Sequence, residues 1–247
     1  MRRIFAYFIS LLLLLSAAEL VAQDTILFPL KIRAGFDLVG PGMYIYDHDH
    51  LSMEGYLSYD KSEKISFVLE GGYADYRYTQ YNYDYHTNGV FSRVGVDYNF
   101  LKPEISKGKY WAGLGLRYGL SIYSSETSMY EQENYWGTFS SSIPKNSGTG
   151  HFLEAAPGFR TELFRNLSLG WTLRLKFLIS GGGGKDLKPI YLPGFGNGGK
   201  ITTLGINYYI SWSIPYKTKR VITKPVVVEE PEETDEEGIM QQAPGFR

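Results

Sequence analysis

The stretch Tyr110-Trp111-Ala112-Gly113-Leu114-Gly115-Leu116-Arg117-Tyr118-Gly119-Leu120-Ser121-Ile122 decides the fold. Read in steps of two, Tyr110, Ala112, Leu114, Leu116, Tyr118, Leu120 and Ile122 share one face. Trp111, Gly113, Gly115, Arg117, Gly119 and Ser121 share the other. Strict alternation over this length is the signature of a β-strand. A polar face of glycine and arginine is poorly suited to water. It fits the cramped interior of a small membrane barrel whose apolar face meets lipid.

The same period recurs along the chain. Eight segments alternate: Leu30–Val39, Ser52–Asp60, Ile65–Tyr78, Gly89–Phe100, Lys109–Ile122, His151–Leu163, Ser168–Ser180 and Lys200–Ile214. Each is long enough for a tilted strand that spans a bilayer, about 9–11 residues. Their apolar sets include Ile32, Ala34, Phe36 and Leu38 in the first segment, and Leu169, Trp171, Leu173, Leu175, Phe177 and Ile179 in the seventh. The eighth carries Leu204, Ile206, Tyr208, Ile210 and Trp212. The connections alternate in length. Lys61–Lys64, Leu101–Gly108 and Phe164–Leu167 are short, whereas Gly40–Leu51, Thr79–Asn88, Tyr123–Gly150 and Gly181–Gly199 are long. Short periplasmic turns and long external loops are the pattern of an outer-membrane barrel. The expected fold is therefore all-β, an eight-stranded antiparallel up-and-down transmembrane β-barrel.

A soluble lipocalin-like binding barrel shares the strand count and the alternation. The composition of the polar face separates the two. It carries Gly35, Gly72, Gly95, Gly113, Gly115, Gly119, Gly170 and Gly205. Glycine weakens a strand and gains nothing on a water-exposed face, but inside a narrow barrel it leaves room for a large neighbour. The same face carries Lys31, Arg33, Arg93, Arg117, Arg160, Arg174 and Lys176, with Asp37, Glu54, Glu70, Asp97, Glu154 and Glu162. Arginine's planar fork suits an interior charge network. An eight-stranded interior is just wide enough for side chains to fill, so no pore is expected, with Trp111 and Phe152 among the fillers.

The ends of the chain supply the address. Arg2 and Arg3 precede an apolar run from Ile4 to Leu15, then Ser16, Ala17 and Ala18. That order reads as a secretory signal peptide over residues 1–22, cleaved near Ala22 or Gln23. A membrane anchor is the alternative, but the run is shorter than the roughly 20 residues a spanning helix needs. Residues 23–215 form the expected barrel, ended by Pro215, which cannot donate to a strand ladder. Residues 216–247 follow as a periplasmic tail too poor in apolar surface to fold alone. Its Val226-Val227-Val228 run and the acids Glu229 to Glu237 suit a docking peptide for a periplasmic partner, since an extended segment can add to a sheet edge. The chain has no cysteine, which excludes disulfides, thiolate metal sites and a lipoprotein anchor. Its net charge of -1 gives no basic field for nucleic acid. Aromatics make up 16% of the chain, with 21 tyrosines, as suits a protein crossing two lipid–water interfaces. Outer-membrane lipids are the expected partners.

Gly95-Val96-Asp97-Tyr98-Asn99-Phe100, Gly115-Leu116-Arg117-Tyr118-Gly119, Glu162-Leu163-Phe164-Arg165-Asn166 with Leu169-Gly170-Trp171, and Gly205-Ile206-Asn207-Tyr208-Tyr209-Ile210 resemble a family of exported Bacteroidota proteins read as outer-membrane β-barrels. The likeness covers most of Gly35 to Pro215. It implies location and fold. The family has no assigned activity, so no catalytic residue is carried over.

Three short runs invite a chemical reading. Tyr46-Asp47-His48-Asp49-His50 offers imidazole and carboxylate, which suit zinc-like ions. It lacks a third, distant ligand, and neither His86 nor His151 is tied to it by sequence. His151 stands at the expected outer rim with Ser147, Ser121 and Ser180 near in sequence or across strands. A nucleophilic serine needs a base and an orienting acid in contact, and no elbow motif surrounds these serines. An outer-membrane enzyme acting on lipid or peptide at the rim is thus the alternative function. Gly181-Gly182-Gly183-Gly184-Lys185 lacks the spacing and hydroxyl of a phosphate loop. With its prolines it reads as a flexible external loop. Tyr130, Tyr135, Trp136 and Phe139 in the third long loop are expected to pack on the barrel mouth, with stacking on a sugar or headgroup as the alternative. No residue is assigned as catalytic, cofactor-binding or metal-binding, and no cofactor is expected. The leading function is a non-enzymatic outer-membrane barrel, structural or displaying surface loops.

Overall fold

The computed structural model describes residues 25–182 and 189–222. The signal segment over residues 1–22, the Gly183-Gly184-Lys185 part of the glycine run and the tail from residue 223 lie outside the described residues. Ile26–Val221 forms one compact unit.

Eight strands form a single sheet closed on itself: β1 (Thr25–Asp37), β2 (His50–Asp60), β3 (Ile65–Gln80), β4 (Tyr83–Asn99), β5 (Tyr110–Asn134), β6 (Gly137–Phe164), β7 (Leu167–Ser180) and β10 (Thr202–Ile222). The order around the ring is β1-β10-β7-β6-β5-β4-β3-β2, a closed barrel. Sequential neighbours pair antiparallel, with Leu116 opposite Val96 on one side and Ala155 on the other. A two-stranded hairpin, β8 (Tyr191–Leu192) with β9 (Gly196–Asn197), lies between β7 and β10.

Burial runs opposite to that of a water-soluble barrel. Arg93, Glu70, Glu154 and Arg174 are among the most buried side chains, at 2–3% exposure. Leu116, Val94, Ile206 and Leu204 face outward at 58–69% exposure. Outward-facing Ile32, Phe36, Trp171, Leu173, Phe177, Tyr208 and Trp212 continue this belt around the ring. The Tyr110–Ile122 alternation takes the expected phase, with Trp111, Gly113, Gly115, Arg117, Gly119 and Ser121 inside.

The interior glycines do have a spatial purpose. Gly35 pairs with Tyr56, Gly72 with Phe91, Gly119 with Phe152 and Gly170 with Tyr209 across neighbouring strands. A Cβ at Gly119 would lie 2.3 Å from the Phe152 ring, and one at Gly72 would lie 2.4 Å from Phe91. Each inward ring thus takes the space a side chain on its partner glycine would need, the pairing known to support glycines in curved sheets.

Four expectations need correction. Thr79–Asn88 is not a loop: β3 and β4 run on to Gln80 opposite Tyr83. Nor is Tyr123–Gly150, where β5 and β6 continue to Asn134 opposite Gly137. These segments alternate without an apolar face, so hydrophobic periodicity misses them, while the backbone ladders β3–β4, β4–β5 and β5–β6 sustain them. Gly40–Leu51 contains a helix, α1 (Val39–Tyr46), whose Gly40 N–H donates to the Asp37 carboxylate at 2.9 Å. Pro215 does not end the last strand, because β10 runs to Ile222. The β7 ladder stops at Leu167 opposite Trp212, so Pro215 stands beyond the last pair on that side and its missing N–H breaks no β7 bond. The extension is held by Tyr216, which stacks on Tyr59 and donates to the Asp60 carbonyl, and by Lys219 on Glu63 at 2.8 Å. Burial pushes the Glu63 carboxyl up, but the Lys219 bond, a backbone hydrogen bond and the charges of Lys219 and Lys64 together hold it below the usual carboxylate range.

The short connections fall where the sequence places them. Lys61–Lys64 joins β2 to β3. A one-turn helix, α2 (Pro103–Ser106), joins β4 to β5, and Arg165-Asn166 joins β6 to β7. They share one end of the barrel. At the other end β3 to β6 rise past their neighbours as a four-stranded extension.

Candidate functional site

The barrel interior holds a layer of charge at mid-height. Arg93, on β4, contacts Glu54 at 2.9 Å, Glu70 at 2.9 Å and Glu154 at 3.3 Å. Arg117, on β5, contacts Glu70 at 3.0 Å, Asp97 at 3.2 Å and Glu154 at 3.3 Å. Arg174, on β7, contacts Glu54 at 2.7 Å, Glu70 at 3.2 Å and Glu154 at 3.6 Å. Three planar forks therefore share four carboxylates across β2 to β7. The expected inward placement of Arg93, Asp97, Arg117, Glu154 and Arg174 is what the strands produce. Below this layer Arg33 pairs with Asp60 and Lys31 with Glu162. Arg160 lies over the Trp111 ring at 5.5 Å. Such a layer leaves the centre of the barrel filled with side chains.

Above the layer, the β8–β9 hairpin closes the mouth. Leu192 and Phe195 are fully buried and pack with Tyr123 and Phe152. The charged layer holds the hairpin by its backbone. Arg93 Nη2 donates to the Gly194 carbonyl at 3.0 Å, and Thr203 Oγ1 donates to the Phe195 carbonyl at 2.7 Å. Gly194 has φ +76°, and a Cβ there would lie 2.6 Å from Phe91. Tyr191 stacks on Tyr76 and shares a 3.1 Å bond with His50 Nε2. Burial pushes the Tyr191 hydroxyl up to about 12. The reading of Gly181–Gly199 as a flexible external loop is thus corrected for its second half. Glycine and proline there shape a tight plug, and two isolated apolar residues anchor it.

The singled-out histidines scatter. His48 lies against the Tyr44 ring, and His50 joins Tyr191 and Tyr76. Asp47 ends α1, and its carboxylate accepts from the Asp49 N–H at 3.1 Å. His151 Nδ1 meets the Tyr118 hydroxyl at 2.7 Å on the outer face. Ser180 is its register partner, while Ser121 is buried in the interior. Neither Ser147 nor Ser180 is brought into a hydrogen bond with it. The sequence reading named His86 but not its partners: it lies between Asp75 at 3.1 Å and Glu126 at 3.3 Å across three strands of the extension. Only strand pairing beyond Gly89, which carries no periodic signal, could have revealed them. Tyr135 and Trp136 do not pack on the mouth. They stand 92% and 90% exposed at the tip of the β5–β6 hairpin, edge-on to each other.

A closed eight-stranded antiparallel barrel with a charged, ring-filled interior and an apolar outer belt is the class these features define. The chain belongs to the family described as a domain of unknown function, DUF6048, whose model matches residues 1–219. No curated protein matches it.

Proposed function

We propose that this protein is an outer-membrane β-barrel that neither conducts nor catalyses, and that it serves to hold a strand-built extension on the cell surface. The inverted burial carries the reading: the apolar belt would face lipid, and the buried charges would be screened from it. In water that belt would be a contiguous apolar surface far larger than soluble monomers carry. The short turns at one end match periplasmic turns, and the expected signal segment fits export. With the turns in the periplasm, the β3–β6 extension, its Tyr135-Trp136 tip and the mouth plug lie outside the cell. The charge layer and the plug support a closed interior. The test is to fractionate the native envelope, extract with detergent, and run unheated and boiled samples on a gel. A membrane-bound band that needs detergent and migrates faster unheated is expected. Recovery in the soluble periplasmic fraction would overturn the proposal.

A further inference from the structure

A cleft of about 580 Å³ opens between the β8–β9 plug and the inner wall formed by β1, β2 and β10. That size lies within the range of small-molecule sites. Its acceptors are already engaged. Glu54 takes bonds from Arg93 and Arg174. Asp37 accepts from the N–H groups of Gly40 at 2.9 Å and Tyr208 at 3.2 Å. The plug carbonyls of Gly194 and Phe195 accept from Arg93 and Thr203.

The donors are not engaged to the same degree. Lys176 lines the cleft two residues above Arg174 on the same inner face. Each arginine of the layer contacts three carboxylates, but among the described residues Lys176 has no carboxylate within ion-pair distance. Its ammonium makes one long bond, 3.4 Å to the Phe195 carbonyl, leaving two N–H groups for the cleft. Asn197, on the plug wall, spends its side-chain oxygen on the Gly199 N–H, which leaves its amide N–H₂ as a donor. A partly desolvated ammonium beside spent acceptors is complementary to an anion.

We propose that this cleft binds a small solute through an oxyanion, carboxylate or phosphate, with Lys176 as the charge anchor and Asn197 as a second donor. The site does not depend on where the barrel resides, so it stands or falls apart from the membrane reading.

The test uses the full chain in detergent micelles, produced with ¹³C-labelled lysine so that the lysine Cε signals are read with every ammonium N–H intact. The Lys176 signal is assigned by its loss in Lys176→Met or, should that variant not fold, in Lys176→Arg. Inorganic phosphate and acetate are titrated separately, with chloride at matched ionic strength as the control. A saturable shift of the Lys176 signal with phosphate, acetate or both, absent with chloride, is expected. Phosphate alone would mark a phosphorylated solute, and acetate alone a carboxylate. No shift with either, or an equal shift with chloride, would overturn the proposal.

Discussion

Replacing Arg117 with Met probes the charge layer at its most one-sided point. Glu70 would keep Arg93 at 2.9 Å and Arg174 at 3.2 Å, and Glu154 would keep the same two arginines at 3.3 and 3.6 Å. Asp97 has Arg117 as its ion-pair partner at 3.2 Å and is itself buried, so the loss concentrates there. Breaking a buried pair from one side costs about 3–5 kcal/mol, because a charge is left uncompensated. Adding Asp97→Asn removes that orphan charge, so the double variant should regain a substantial part of the loss, a coupling of about 0.5–3 kcal/mol. Leu116, one residue away, faces outward at 60% exposure. Leu116→Ala opens no interior cavity and should cost less than Arg117→Met. Leu116→Arg should cost about 2–4 kcal/mol if the residue sits near the bilayer midplane. Urea unfolding in lipid vesicles, followed by tryptophan fluorescence, compares the four. Stability of Arg117→Met equal to the parent, together with tolerance of Leu116→Arg, would refute both the charge-layer argument and the lipid-facing belt.

Further outcomes follow from other contacts. Gly119→Ala places a Cβ against the Phe152 ring and should destabilise by about 1–3 kcal/mol; Phe152→Leu in the same chain should relieve part of it in the same unfolding assay. Gly194→Ala meets both Phe91 and a left-handed backbone, so proteolysis within residues 189–199 should quicken while the barrel stays intact. Planar-bilayer recordings of the purified protein should show no stable open-channel current, because rings and charges fill the interior. Glu63 titrates below the ordinary carboxylate value in the folded chain, so its pairing with Lys219 stabilises above that value and fades as pH falls through the folded midpoint. An NMR titration of Lys219→Met should show the Glu63 midpoint moving up.

The barrel was legible because its outer belt forces a period of two wherever a strand is apolar on one side, as at Tyr110–Ile122 and Ser168–Ser180. Inward glycine, arginine and glutamate made the phase readable too. Legibility ended where the apolar belt ends. Ser124, Ser125, Glu126 and Thr127 alternate between two polar faces, so the extension and the Asp75–His86–Glu126 cluster left no hydrophobic trace. The plug was hidden for a different reason. Leu192 and Phe195 are single apolar residues among glycines and prolines, and their burial depends on Tyr123 and Phe152 from distant strands. The α1 helix opens on Gly40-Pro41-Gly42, which reads as a turn. The pairing of Lys31 with Glu162 and Arg33 with Asp60 depends on ring closure and register, which a single sequence does not specify.

The absence of native cysteine makes the decisive measurement direct. Single cysteines at Leu116, Leu153, Trp171 and Ile206 on the outer belt, and at Ser52 and Gly205 facing the cleft inside, can each carry a nitroxide in vesicles. We expect the outer four to be relaxed strongly by oxygen and weakly by an aqueous nickel complex, as in lipid, with the two inner positions departing from that pattern. Strong relaxation of Leu116 and Ile206 labels by the nickel complex, with oxygen no more effective, would place the belt in water and contradict the lipid-facing barrel.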